Sequence, residues 1–103
     1  MANQLNTYTD ISLAELEEMA VDSASIVVDV REPWEFEEFN VGGINIPLAD
    51  IRERRAELLP FQNIIVVCTN GTRSRVAAKD YCRAESLLEK QIYHLEGGIL
   101  EIE

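Results

Sequence analysis

Short β-branched runs alternating with helix-patterned stretches predict an α/β fold, a parallel-dominated sheet with helices on both faces. Two observations carry this reading. Ile26-Val27-Val28-Asp29-Val30, Ile64-Ile65-Val66-Val67-Cys68 and Ile92-Tyr93-His94-Leu95 are short apolar runs with the length of buried strands. Between them lie start and stop signals for helices, as parallel strands require. In such sheets ligands sit outside the carboxyl ends of the strands, and Cys68 lies at one such end. With 103 residues, the chain is expected to form one domain over 1–103, enough for a single hydrophobic core.

The elements follow in order. Ser12 and Glu15 have capping-box spacing, and Ile11 and Leu16 fall at staple positions, so a helix is expected from Leu13 to about Met19. The 26–30 strand comes next. Pro33 suits a helix first turn, and Glu35 to Phe39 would add one or two turns. Gly42-Gly43 breaks that element, and Ile44-Asn45-Ile46 is a strand ended by Pro47. Asp50 is placed to cap a helix through Ile51, Ala56, Leu58 and Leu59, stopped by Pro60. From Ser74 through Val76, Ala77, Ala78 and Tyr81 the apolar spacing is helical, and the 92–95 strand ends at Gly97-Gly98.

Composition narrows the function classes. An apolar share of 47% and a charged share of 27% are ordinary for a soluble protein. No apolar run approaches the roughly 20 residues of a membrane span, and the first residues lack the pattern of a secretory signal. Two cysteines make no disulfide framework and no zinc site at usual spacing, so a reducing cytoplasm is the expected location, with no metal or cofactor. A net charge of −10 argues against nucleic acid or an anionic membrane as partner. It also repels anionic substrates, although screening confines that effect to about 8–10 Å at physiological salt. Arg73 and Arg75, close to Cys68, are expected to reverse the field locally and make a basic mouth on an acidic body.

The segment Cys68-Thr69-Asn70-Gly71-Thr72-Arg73-Ser74 carries the chemistry. Unpaired backbone N–H groups and the positive end of a helix dipole converge where a strand passes through a short loop into a helix. Such a site favours an anion, and a thiolate is one, so Cys68 is expected to be nucleophilic. Gly71 admits the φ > 0 that a ring of inward N–H groups needs.

These residues, with Asp29-Val30-Arg31-Glu32-Pro33-Trp34-Glu35-Phe36, Gly42-Gly43-Ile44-Asn45-Ile46-Pro47-Leu48 and Leu95-Glu96-Gly97-Gly98-Ile99, resemble a single-domain rhodanese in order and spacing. The resemblance covers nearly the whole chain from Ile26. It implies a central five-stranded sheet and sulfurtransferase chemistry. Cys68 would take a sulfane sulfur from thiosulfate or a small persulfide, a small anionic donor. It would then pass the sulfur to cyanide, a thiol or a protein acceptor. By the same resemblance, the backbone N–H groups of Thr69, Asn70, Gly71, Thr72 and Arg73 would surround the persulfide. The chain departs from the pattern at Glu38-Phe39-Asn40-Val41, at the glycine-free Ala84-Glu85-Ser86-Leu87-Leu88, and in reaching Glu103 without the tryptophan and closing helix common in the family.

Other residues have blander readings. Arg73 either binds the donor or pairs internally with Asp29 or Glu32. Arg75 is expected to be exposed and to attract the donor. Asp29, Arg31 and Ser74 are read as structural neighbours of the site. Cys82 is expected to be inert core packing, with a resolving thiol as the alternative. His94 should lie on the face opposite Tyr93 and Leu95, as an exposed strand residue, with a general base as the alternative. Trp34 should pack beneath the rim, with an exposed aromatic lining the mouth as the alternative, and Glu35, Glu37 and Glu38 should form a solvated helix face.

Three other functions compete. A cysteine phosphatase loop has five residues between cysteine and arginine, whereas Cys68 and Arg73 have four between them. The tighter ring suits one sulfur atom better than a phosphoryl group. A binding module without turnover would not need Cys68. A protein-to-protein sulfur relay would share all the chemistry.

Overall fold

The computed structural model describes residues 6–99. Its centre is a five-stranded sheet of β1 (Tyr8–Ile11), β2 (Ser25–Asp29), β3 (Ile44–Asn45), β4 (Asn63–Val67) and β5 (Gln91–Leu95). All pairings are parallel and the spatial order is β1-β5-β4-β2-β3. Parallel neighbours need crossovers, and three helices lie between strands: α1 (Leu13–Ala20), α2 (Pro33–Glu38) and α3 (Thr72–Arg83).

The side-chain alternation of β4 builds two cores. Ile64, Val66 and Cys68 face α3, with Val28, Val30 and Ile92 from neighbouring strands. Ile65 and Val67 face the other way, with Val27, Leu95 and the α1 residue Leu16. The inner stripe of α3 is Ser74, Ala77, Ala78, Tyr81 and Cys82, spaced three and four apart. Its two alanines let the helix lie close to the sheet. Val76 faces outward instead and is half exposed.

The capping box of α1 forms as its spacing predicts. Ser12 Oγ accepts from the Glu15 N–H, and Glu15 Oε1 accepts from the Ser12 N–H. The helix expected after Asp50 does not form. That stretch is two 3₁₀ turns, Leu48–Asp50 and Arg55–Leu58, and Asp50 makes no side-chain cap. Its polar side chains bond elsewhere: Arg54 pairs with Glu57 at the i,i+3 spacing of a 3₁₀ turn, while Arg52 and Arg55 reach Asp80 on α3. Strand β1 was not among the strands read from the sequence. It is a short edge strand whose one buried residue, Ile11, also reads as the staple of α1.

Candidate active site

Cys68 immediately follows β4, and three residues separate it from the first residue of α3. Gly71 takes φ 93° as the cap of α3, a conformation open to glycine at little cost. That turn aims backbone donors at the sulfur. Cys68 Sγ accepts from the N–H groups of Gly71 and Ser74, each at 3.2 Å. The Ser74 hydroxyl oxygen lies 3.3 Å from the same sulfur. Cys68 and Ser74 are both fully buried, so these donors act without competition from water. The arrangement favours a negatively charged sulfur.

At the thiol sulfur itself the loop presents two N–H groups, those of Gly71 and Ser74. The Thr72 N–H is taken by Asn70 Oδ1 at 3.0 Å in a local turn, not by the sulfur. Ser74, read as a structural neighbour, is itself a donor to the sulfur. Asn70 and Thr72 are exposed and Thr69 is partly buried, so these three form the loop's outer surface. From behind, the Ile99 N–H donates to the Cys68 carbonyl at 2.9 Å. Gly98 sits so close that a Cβ there would fall 2.3 Å from the Thr69 carbonyl oxygen.

Arg73 pairs with neither Asp29 nor Glu32. Its guanidinium donates to both oxygens of Glu35, at 2.8 and 3.2 Å, and to Thr69 Oγ1 at 3.2 Å. The hydrogen bond from Arg73 holds the Glu35 carboxyl down at about 2, and the same bond raises the Arg73 pKa. Glu35 therefore belongs to the site's frame rather than to a solvated face. Asp29 is occupied by Arg31, whose guanidinium donates to both its oxygens in a buried pair. Asn45 Nδ2 donates to the Asp29 and Arg31 carbonyls and closes this strand end.

The basic mouth expected from Arg73 and Arg75 takes another form. The charge of Arg73 is balanced by Glu35. Arg75 is exposed along a groove it shares with Asp10, Glu15, Asn70 and Glu96. Trp34 does not pack beneath the rim; it is 62% exposed on α2, because no core residue of α2 draws that face inward. Cys82 is in the core on α3, ten residues beyond Thr72 and so about 15 Å along the helix. Burial pushes its thiol pKa up, which opposes a role as a resolving thiol.

His94 departs furthest from expectation. Alternation does turn it away from Leu95, but the opposite face of the sheet is covered by α3, and the ring is fully buried. His94 Nε2 lies 2.9 Å from Ser74 Oγ and 3.2 Å from the Gly71 carbonyl, and Nδ1 lies 2.8 Å from Asp10 Oδ1. Tyr8 meets the ring edge-on at 5.6 Å. The available signal was a polar residue inside a strand buried on both faces, which needs polar partners. Asp10 gave none, because β1 itself was not read.

The chain as a whole is similar to known proteins. The family model described as a Rhodanese-like domain matches residues 12–103. The thiosulfate sulfurtransferase PspE of Escherichia coli is 34% identical over 97 residues, 89% of this chain and 88% of that protein. A putative sulfur carrier protein of Bacillus subtilis, YrkF, is 36% identical over 59 residues, 56% of this chain and 32% of its own. The uncharacterized YqhL of the same organism is 38% identical over 73 residues, 70% of this chain, and the match spans 56% of its length. Among solved structures, a rhodanese-related protein from Thermoplasma volcanium superimposes with a TM-score of 0.73 at 34% identity, covering 91% of this chain and 89% of that one. A match of this extent, in sequence and in fold, places the chain in the rhodanese family.

Proposed function

We propose that this protein is a sulfurtransferase that carries a sulfane sulfur on Cys68. The observation that carries the reading is the pair of backbone N–H groups, from Gly71 and Ser74, donated to a buried Cys68 sulfur at the start of α3. The Cys68 thiolate attacks the outer sulfur of thiosulfate. The donor's S–S bond breaks, sulfite leaves with the bonding electrons, and Cys68 holds a persulfide anion. A nucleophile such as cyanide or a thiolate then attacks the outer sulfur and releases the Cys68 thiolate. The N–H groups serve thiolate and persulfide alike, since both place negative charge at the cradle. Thr69, Asn70 and Thr72 form the approach for the donor. Arg73 braces the loop through Glu35, and exposed Arg75 supplies positive charge nearby.

The likeness to a putative sulfur carrier supports a second acceptor class, a protein thiol. One experiment tests the central reading. Reduced protein is incubated with thiosulfate and its intact mass recorded. A gain of one sulfur atom, mapped to Cys68 and discharged by cyanide as thiocyanate, is the expected result. A persulfide formed only from a protein persulfide donor would assign the relay instead. No sulfur on Cys68 from either donor would overturn the proposal.

A further inference from the structure

We propose that His94 accepts the proton of the Cys68 thiol through Ser74 and is held for that role by Asp10. This deepens the sulfur-transfer reading and rests on it. The four groups form one hydrogen-bonded chain: sulfur to Ser74 Oγ at 3.3 Å, Oγ to His94 Nε2 at 2.9 Å, and Nδ1 to Asp10 Oδ1 at 2.8 Å. They come from four separate places in the fold, the end of β4, the first turn of α3, β5 and β1. Their convergence on one line is a property of the tertiary structure.

The chemistry follows from which groups donate. An ionised carboxylate only accepts, so Asp10 fixes the proton of neutral His94 on Nδ1 and leaves Nε2 free to accept. In that state the thiol S–H faces Ser74 Oγ and the Ser74 O–H faces Nε2. Ser74 then passes its proton to Nε2 and takes the proton of the thiol. One proton moves in net from Sγ to Nε2, and Ser74 is unchanged. No heavy atom needs to move.

Three features favour the charge-separated product. The two N–H bonds to sulfur strengthen when it is anionic. The new Nε2–H has two acceptors, Ser74 Oγ and the Gly71 carbonyl at 3.2 Å, whereas the neutral ring turns its Nε2 lone pair toward that carbonyl. Asp10 balances the charge of the buried imidazolium. The titratable groups facing the ring are Asp10 and Tyr8 from β1, with Cys68 across Ser74. From α3 the ring meets the neutral Ser74, and Arg75 lies with Asp10, Glu15 and Glu96 along the open groove. Asp10 is 47% exposed there, so the relay ends at solvent. His94 acts through Ser74 and never touches the donor, which makes it a positioning residue.

The test reads protonation of the sulfur and needs no sulfur donor. In a Cys82→Ser background, the ultraviolet absorbance of the thiolate is followed against pH, as a difference from the matching Cys68→Ser protein. His94→Gln, which cannot take up a proton, is expected to move the half-height of the thiolate band about one pH unit toward alkaline values. Ser74→Ala and Asp10→Asn are expected to move it in the same direction, Asp10→Asn by less. Superposition of the His94→Gln and Asp10→Asn curves on the parent would overturn the relay, as would slower sulfur transfer with an unmoved curve. If circular dichroism shows His94→Gln unfolded, the exposed Asp10→Asn decides by the same criterion. Shifted curves in a protein that forms no persulfide would fail the sulfur-transfer reading alone.

Discussion

Glu35 and Arg73 meet end to end, two oxygens against two guanidinium nitrogens, and tie α2 to the first turn of α3. The same guanidinium holds Thr69 Oγ1, so one arginine fixes the loop beside Cys68 and the helix that faces it. Planar bidentate pairing of this kind adds direction as well as charge, which lysine could not supply.

The Glu35 carboxyl, lowered from 4.5 to about 2 chiefly by its hydrogen bond with Arg73, makes stability depend on pH. A carboxyl depressed in the folded state stabilises above its unfolded pKa, and that contribution is lost as pH falls from about 4.5 toward 2. Glu35 and Arg73 are 17% and 33% exposed, so solvent screening leaves about 1–2 kcal/mol. Thermal unfolding between pH 2 and pH 6 checks this. The gap between wild type and Glu35→Gln is expected to be present at pH 6 and to close near pH 2; an equal gap at both would assign it to another source.

The two cysteines are expected to separate cleanly. Cys68→Ser should abolish persulfide formation while preserving the fold, because a hydroxyl fills nearly the same volume. Cys82→Ser should retain most of the activity, within about twofold, since that thiol lies about 15 Å along α3 from Thr72. Mass spectrometry after thiosulfate treatment measures both.

Gly98→Ala should damage the site more than Gly42→Ala. Both glycines have positive φ, 74° and 98°, which costs an L-residue about 1–3 kcal/mol. Only at Gly98 does the added Cβ strike the active loop, at the Thr69 carbonyl, whereas Gly42 has open space. The expected outcome is reduced stability in both and slowed sulfur uptake only in Gly98→Ala, read by denaturant unfolding and by the rate of adduct formation.

Asp29→Ala is expected to cost about 3–5 kcal/mol, because it strands the buried Arg31 guanidinium. Urea unfolding gives the value. A loss below about 1 kcal/mol would mean that Arg31 finds water or another carboxylate.

The sequence by itself determined the strand–loop–helix around Cys68, the capping box of α1 and the α/β class. Each is written in neighbouring residues, where periodicity, a cap or a glycine acts locally. Ion pairs and burial were decided elsewhere. Arg73 selects Glu35 over Glu32 because α2 turns that side chain toward the loop, a choice three residues cannot show. His94 obeys strand alternation, yet α3 covers the face it reaches, so the same rule that placed its side chain misjudged its exposure. Asp10 joins it only because β1 pairs with β5 across more than eighty residues of chain. Local patterns dictate local geometry; which charges and protons meet is set by the packing of distant segments, and only the tertiary structure decides that.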